Sequence, residues 1–166
     1  MNSPALLTSD IHGYREGAEL IMKAAAHFKA DRIISAGDQC PDPYDPFYSS
    51  LIAVRGNCDR FYEYISMPFP PASRVIGLNG RKLFVTHGDS LALHDFPLEC
   101  GDIFMSGHTH VPDLRLINGI YCVNPGSPSR PRSSLGPTAA LLDEDGILLF
   151  SLLDFSHISA LSFSSL

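Results

Sequence analysis

Charge of either sign is scarce in this chain: Asp, Glu, Lys and Arg together make up 18% of its 166 residues. Only 12 residues are Lys or Arg against 18 acidic ones, so the net charge is −6 and the pI near 5.5. That balance argues against the basic, phosphate-coating surface of a protein that binds long nucleic acids. No apolar run approaches the ~20 residues that span a bilayer. The richest, Ile147 to Phe155, is broken by Ser151 and Asp154. The first residues carry no basic stretch and reach Asp10 early, so no secretory signal is expected. The four cysteines, Cys40, Cys58, Cys100 and Cys122, form no Cys-x-x-Cys pair. A disulfide scaffold is therefore not expected, and reduced thiols in a cytoplasmic protein are. Missing too are the Gly-x-x-x-x-Gly-Lys-Ser/Thr loop, the Gly-x-Gly-x-x-Gly turn and the Gly-x-Ser-x-Gly elbow. Phosphate-loop, dinucleotide-binding and serine-hydrolase readings lose their usual warrant with them.

The hydrophobic set supplies 45% of residues, enough for one substantial core in a single domain over residues 1–166. Residues 4–9 predict a short buried strand. Residues 15–29 then place Leu20, Ile21, Ala24, Ala25 and Phe28 on one helical face. Residues 32–36 follow as a second strand one crossover away, as a parallel βαβ unit requires. A third strand is expected over 51–54. The three prolines within residues 41–48 leave room for at most a short helix. Beyond residue 70 the texture changes, with strands expected at 73–78, 82–86, 102–105, 114–117, 120–123, 138–142 and 147–153. Turn pairs Asn79-Gly80, Asn118-Gly119 and Asp145-Gly146 punctuate them. The second half therefore reads as antiparallel or mixed. Residues 125–137 form a surface loop, and residues 156–166 an edge strand or a tail.

Each expected strand in the first 110 residues stops at a small residue and then presents a side chain able to bind metal: Asp10 and His12, Asp38, Asn57, His87, and His108 and His110. Open α/β sheets bind ligands at the carboxyl ends of their strands, where loops converge on a rigid support. Taken singly, an Asp after a strand is most often a turn former or helix cap, and Asn57 after Gly56 is a tolerant turn residue. The joint pattern is different, because four of the seven histidines fall just past strand ends. His27, His94 and His157 read as ordinary hydrogen-bonded histidines. Imidazole, carboxylate and carboxamide donors suit divalent first-row ions, accepting Mn²⁺, Fe²⁺, Co²⁺, Ni²⁺ or Zn²⁺. Seven ligands exceed what one tetrahedral ion takes. They suit two ions ~3.5–4 Å apart, an arrangement that activates a nucleophile and clamps both ends of an in-line displacement at phosphorus.

The ordered blocks Asp10-x-His12, Gly37-Asp38, Gly56-Asn57-Cys58-Asp59, His87-Gly88 and Gly107-His108-Thr109-His110 resemble the calcineurin-like metallophosphoesterase superfamily. The Gly-Asn-Cys-Asp block and the later Asn124-Pro125-Gly126-Ser127 are similar to its small prokaryotic phosphodiesterase branch. The resemblance implies an α/β fold, a four-layer α/β/β/α sandwich with two mixed β-sheets. It implies that Asp10, His12 and His110 hold one ion and Asn57, His87 and His108 the other, with Asp38 bridging. Manganese is the expected metal on the same ground. The implied activity is hydrolysis of a small phosphate diester, for example a cyclic nucleotide, by attack of a metal-bridging hydroxide, with Asp38, Asn57, His108, Cys58 and Asp59 as the catalytic group. Two dications against two carboxylates leave about +2 at the site, enough to draw in a diester despite the acidic surface.

Many superfamily members carry His where this chain has Cys58. A thiol near pKa ~8.5 is a poorer proton donor, so diesters with good leaving groups are the expected substrates. Arg55 and Arg60 flank the Asn57 block, and Arg130 and Arg132 lie in the loop after Ser127, each able to grip a phosphate oxygen. The stretch between Asp38 and Asn57 is short for the family and should line the substrate cleft. Cys40 and Cys58 both follow site loops and could form a reversible disulfide. A rival reading from another class is a metal-binding scaffold for protein partners on the same fold. The completeness of the ligand set favours the enzyme. The apolar C-terminal region could cover a homo-oligomer interface or pack on its own sheet.

Overall fold

The computed structural model describes residues 3–78 and 80–163. Two sheets pack face to face. The larger one has the strand order β11-β10-β9-β1-β2-β3, built from β1 (Ala5–Thr8), β2 (Arg32–Ser35), β3 (Ile52–Ala53), β9 (Thr138–Leu142), β10 (Gly146–Ser151) and β11 (His157–Ser162). Within it β1, β2 and β3 run parallel, and β9 joins β1 antiparallel. The smaller sheet has the order β4-β5-β6-β8-β7, from β4 (Ser73–Leu78), β5 (Arg81–Thr86), β6 (Ile103–Met105), β7 (Asp113–Ile117) and β8 (Ile120–Asn124). There β5, β6 and β8 are parallel, while β4 and β7 close the edges antiparallel. Both sheets are mixed, as expected.

Period-two alternation assigns the side chains to layers. Ala5 and Leu7 on β1, Leu83 and Val85 on β5, Ile103 and Met105 on β6, and Tyr121 and Val123 on β8 meet between the sheets. The intervening Leu6 faces outward onto helix α1 (Arg15–Phe28), whose Ala18, Ile21 and Ala24 form the facing stripe. Each fully buried Leu or Ile in these layers stabilises the fold by about 1.5–3 kcal/mol. Helix α1 ends at Lys29 in a left-handed cap whose amide reaches the Ala25 and Ala26 carbonyls. The proline-rich segment yields one turn of helix, α2 (Pro46–Ser49), capped by the Asp45 carboxylate on the Phe47 amide.

The fourth layer is thin. Phe84, Phe104, Ile120 and Cys122 on the outer face of the smaller sheet are covered by Leu93, Phe96 and Leu98, and among the described residues the one helical turn there is the 3-10 turn Leu93–Asp95. This leaves a groove of about 530 Å³ on that face. The C-terminal region packs on its own sheet: β11 pairs with β10, and Ile158, Leu161 and Phe163 cover the central core. Asn118 and Gly119 both adopt positive φ, 50° and 81°, as a two-residue hairpin turn demands. Asn79 of the first expected turn lies outside the described residues.

Candidate active site

The loops after β1, β2, β3, β5 and β6 converge, and all seven residues expected to bind metal come together there. Around Asp10 Oδ1 stand His110 Nε2 at 3.3 Å and His12 Nε2 at 3.8 Å, and the two imidazole nitrogens are 3.3 Å apart. On the other side, Asn57 Oδ1 lies 3.0 Å from His87 Nε2 and 3.1 Å from His108 Nδ1. Asp38 Oδ2 stands between the groups, 3.5 Å from His12 Nε2 and 3.3 Å from His87 Nε2. The donors thus fall into two sets with Asp38 Oδ2 nearest to both, and Asp10 Oδ1 also lies 3.9 Å from His87 Nε2.

Each carboxylate divides its two oxygens between holding the loops and facing the centre. Asp10 Oδ2 accepts from the Ser9 hydroxyl at 2.7 Å and from the His108 amide at 3.0 Å. Its Oδ1 is buried with no hydrogen-bond partner, as an oxygen reserved for a cation would be. Asp38 Oδ1 accepts from the Cys58 amide at 2.8 Å, leaving Oδ2 to the histidines. The histidines are oriented the same way. His87 Nδ1 lies 2.8 Å from the Ala36 carbonyl and His110 Nδ1 2.8 Å from the Arg130 carbonyl. A carbonyl can only accept, so each Nδ1 carries a proton and each Nε2 is turned toward the centre.

The backbone supporting this is strained. Asp10, His12, Asp38, His108 and His110 have φ between 54° and 69°, the left-handed region that non-glycine residues seldom occupy. Glycines let the loops approach one another. A Cβ on Gly56 would sit 2.1 Å from Asp38 Oδ1, and one on Gly107 1.9 Å from Ser9 Oγ.

Burial opposes the charge on Asp38, yet hydrogen bonds from His87 and the Cys58 amide, with the charges of His87 and His12, hold its pKa at about 2. Burial also opposes protonation of His87, but the hydrogen bond and charge of Asp38 raise it to about 9. Burial, reinforced by the Arg132 charge, lowers the pKa of His110 despite its carbonyl partner. Asp10, Asp38, His87 and His110 are buried, whereas Asn57 and His108 are exposed. The centre therefore opens to solvent on the Asn57–His108 side.

Other residues singled out from sequence take different places. The Cys58 thiol lies within 4.8 Å of ligand atoms of His12 and Asp38, and burial pushes its pKa up, so it stays protonated at neutral pH. Asp59, grouped with the catalytic residues on its motif, turns away from the cluster into the protein, where its oxygens accept from Asp38, Gly56, Cys40 and Tyr64. Arg55 reaches the Pro70 carbonyl at 3.3 Å and lies over the Phe69 ring, off the site. Arg60 is exposed and hydrogen-bonds the Asn57 carbonyl at 3.1 Å, at the rim. Cys40 and Cys58 are free thiols. Ser127 was noted only as part of a motif; its hydroxyl donates to the Asp10 carbonyl at 2.8 Å and receives the Arg130 amide, so it carries the loop that orients His110. The carbonyls of Ala36 and Arg130 had no signal in side-chain identity.

A family model for the calcineurin-like phosphoesterase superfamily domain matches residues 5–146. The chain belongs to that superfamily. This phosphoesterase is 30% identical over 175 residues to phosphodiesterase YfcE of Escherichia coli strain K12, covering 93% of this chain and 95% of that protein. It is 33% identical over 149 residues to a probable metallophosphoesterase of Methanocaldococcus jannaschii, covering 82% of this chain and 74% of that protein. Among solved structures, Escherichia coli YfcE, described as a phosphoesterase, aligns with TM-score 0.87 at 26% identity over 97% of this chain and 100% of that chain. The phosphoesterase is thus a metal-dependent hydrolase built on two mixed sheets. Among the described residues no helix is long and apolar enough to cross a membrane.

Proposed function

We propose that this protein is a dinuclear-metal phosphodiesterase acting on small diesters with good leaving groups. The observation that carries the reading is the position of Asp38 Oδ2, within 3.5 Å of an inward-facing nitrogen from each donor set. The donors fit two divalent ions: Asp10, His12 and His110 on one side, Asn57, His87 and His108 on the other, Asp38 shared. Two divalent ions held there would lower the pKa of water to provide a nucleophile at neutral pH and would neutralise charge developing on the phosphoryl oxygens.

The chain's own residues do the rest. The carbonyls of Ala36 and Arg130 each hold an Nδ1–H of His87 and His110, so both rings are oriented with Nε2 toward the centre before metal arrives. Asn57 contributes oxygen without charge and limits the anionic character of the open side. Cys58, protonated beside His12 and Asp38, offers only a weak S–H donor to a substrate oxygen, which favours diesters whose leaving group needs no strong acid. Arg60 stands at the rim, where its guanidinium can meet a non-bridging phosphate oxygen. A cyclic nucleotide is a small diester of this class, and manganese suits the mixed N/O donors. Free cysteines fit a cytoplasmic setting. The complete donor set, with the His87 and His110 Nε2 atoms turned inward, favours an enzyme over a scaffold.

The test is hydrolysis of bis-p-nitrophenyl phosphate by protein stripped of metal and reloaded with Mn²⁺, with Asp38→Asn in parallel. Turnover restored by metal in the wild type and lost in the variant is expected. No turnover with Mn²⁺, Fe²⁺, Co²⁺, Ni²⁺ or Zn²⁺ by protein that binds two ions would overturn the catalytic reading in favour of the scaffold.

A further inference from the structure

Asp59 is 6% exposed, and its carboxylate carries four hydrogen bonds from three separate segments. Oδ2 accepts the Asp38 amide at 2.9 Å and the Gly56 amide at 2.8 Å; Oδ1 accepts the Cys40 amide at 2.9 Å and the Tyr64 hydroxyl at 2.9 Å. The loop after β2 and the loop after β3 are thereby fastened to one group. The Cys58 amide returns the connection by donating to Asp38 Oδ1 at 2.8 Å. Tyr64 packs edge-on against Phe69, ring centroids 5.2 Å apart, and brings in the segment that displays Phe61, Tyr62 and Ile65 to solvent.

From this geometry we infer that Asp59 is a positioning residue that sets the distance between Asp38 and Asn57, and so determines whether the second ion is held beside the first. The inference rests on the two-ion reading of the site. Asp38 is the oxygen the two donor sets share, and Asn57 belongs to only one of them. A displacement between their loops therefore separates the sets while leaving each partly intact. Only a carboxylate meets the need, since all four partners are donors. An ionised Asp accepts at both oxygens, whereas an Asn side chain would turn an NH₂ group against at least one backbone amide, Cys40 on one side or Asp38 and Gly56 on the other. Asp10 and His110 are held by other groups, the Ser9 hydroxyl, the His108 amide and the Arg130 carbonyl. Loss of Asp59 therefore acts unequally on the two ions.

The experiment is calorimetric titration of metal-free wild type and Asp59→Asn with MnCl₂, followed by electron paramagnetic resonance of the loaded proteins and a melting curve of each. The wild type takes up two ions whose spins couple. In Asp59→Asn the affinity for the second ion falls about tenfold or more, the range seen when groups supporting metal ligands are removed, and the spectrum shifts to isolated Mn²⁺. A purely structural role would lower the melting temperature without changing the coupling. Where Asp59→Asn fails to fold, Tyr64→Phe decides. It removes one of the four donors and keeps the ring, and should weaken second-ion binding about threefold, a fraction of the full loss. Two coupled ions at wild-type affinity in Asp59→Asn, or in Tyr64→Phe where only that variant folds, overturn the inference. Because no substrate is involved, wild type that binds two ions but hydrolyses no diester would overturn the catalytic reading alone.

Discussion

Gly56 offers a perturbation whose consequence can be worked out from distances. A Cβ built on it lies 2.1 Å from Asp38 Oδ1, 2.6 Å from the Asp38 amide nitrogen and 2.7 Å from Asp38 Cγ, against 3.4 Å for ordinary contact. The shortfall exceeds 1 Å at Oδ1 and is smaller at the other two atoms, and two of the three atoms belong to the side chain that both donor sets share. Gly56 does not have positive φ, so Gly56→Ala introduces contact without backbone strain. The loops must part or Asp38 must rotate off its hydrogen bond with the Cys58 amide. Overpacking of this kind costs ~1–3 kcal/mol. At a few degrees per kcal/mol for a chain this long, the melting temperature should fall by about 3–10 °C. Moving a reacting group by ~1 Å costs on the order of 100-fold in rate, so kcat on bis-p-nitrophenyl phosphate should drop by about that factor while the protein remains folded. Gly77→Ala is the control, because a Cβ there meets nothing within 4 Å and should leave both quantities unchanged. Gly56→Ala with wild-type kcat and two tightly bound ions would refute the packing argument and with it the role given to Asp38.

Metal uptake should depend on pH through His87. With its pKa raised to about 9, it is protonated at neutral pH in the metal-free protein and must lose that proton to bind. Apparent affinity should therefore weaken as pH falls below about 9, with one proton released per chain, read from titrations in buffers of different ionisation enthalpy. The sign for metal-free stability is opposite: the His87 contribution is full below its unfolded pKa of 6.5 and fades as pH rises through about 9, which melting curves will follow. Arg60→Ala should raise KM for the diester about fivefold, equivalent to ~1 kcal/mol at a solvent-exposed contact. Arg55→Ala should leave KM unchanged and act only on stability, because its guanidinium is engaged by Pro70 and Phe69. Leu7→Ala, at a fully buried position between the sheets, should cost about 2–5 kcal/mol in denaturant melts with no change in the metal-binding pattern of the folded fraction.

Much of this site was legible because strand ends are simple to read. Short apolar runs over residues 4–9, 32–36 and 82–86 marked buried strands, and the polar residue after each stop named a candidate ligand. All seven converge. What side-chain identity did not reveal was backbone. Nothing in the letters of Asp10, His12, Asp38, His108 and His110 announces left-handed φ, since these are not glycines. The carbonyls that orient His87 and His110 belong to Ala36 and Arg130, chosen by position and not by chemistry. Proximity in sequence also misled: Arg55 and Asp59 both neighbour Asn57, yet one points out along Phe69 and the other into the loops. The chain turns at Asn57 and Cys58, and the Asp59 carboxylate closes that turn on the Gly56 amide, so residues that a motif presents as a unit face different ways. In the fold, the thin cover over Phe84 and Phe104 was unreadable because residues 88–101 carry neither helical nor strand periodicity. The C-terminal segment was ambiguous for a related reason, its weak alternation being that of an edge strand with one half-covered face.

In the proposed mechanism two ions share Asp38. Counting bound Mn²⁺ per chain by elemental analysis after gel filtration, with the resonance spectrum of the same sample, tests it most directly. Two ions with coupled spins in the wild type, and one or none in Asp38→Asn, are the result the geometry predicts. A single uncoupled ion in the wild type, or two coupled ions retained in Asp38→Asn, would contradict it.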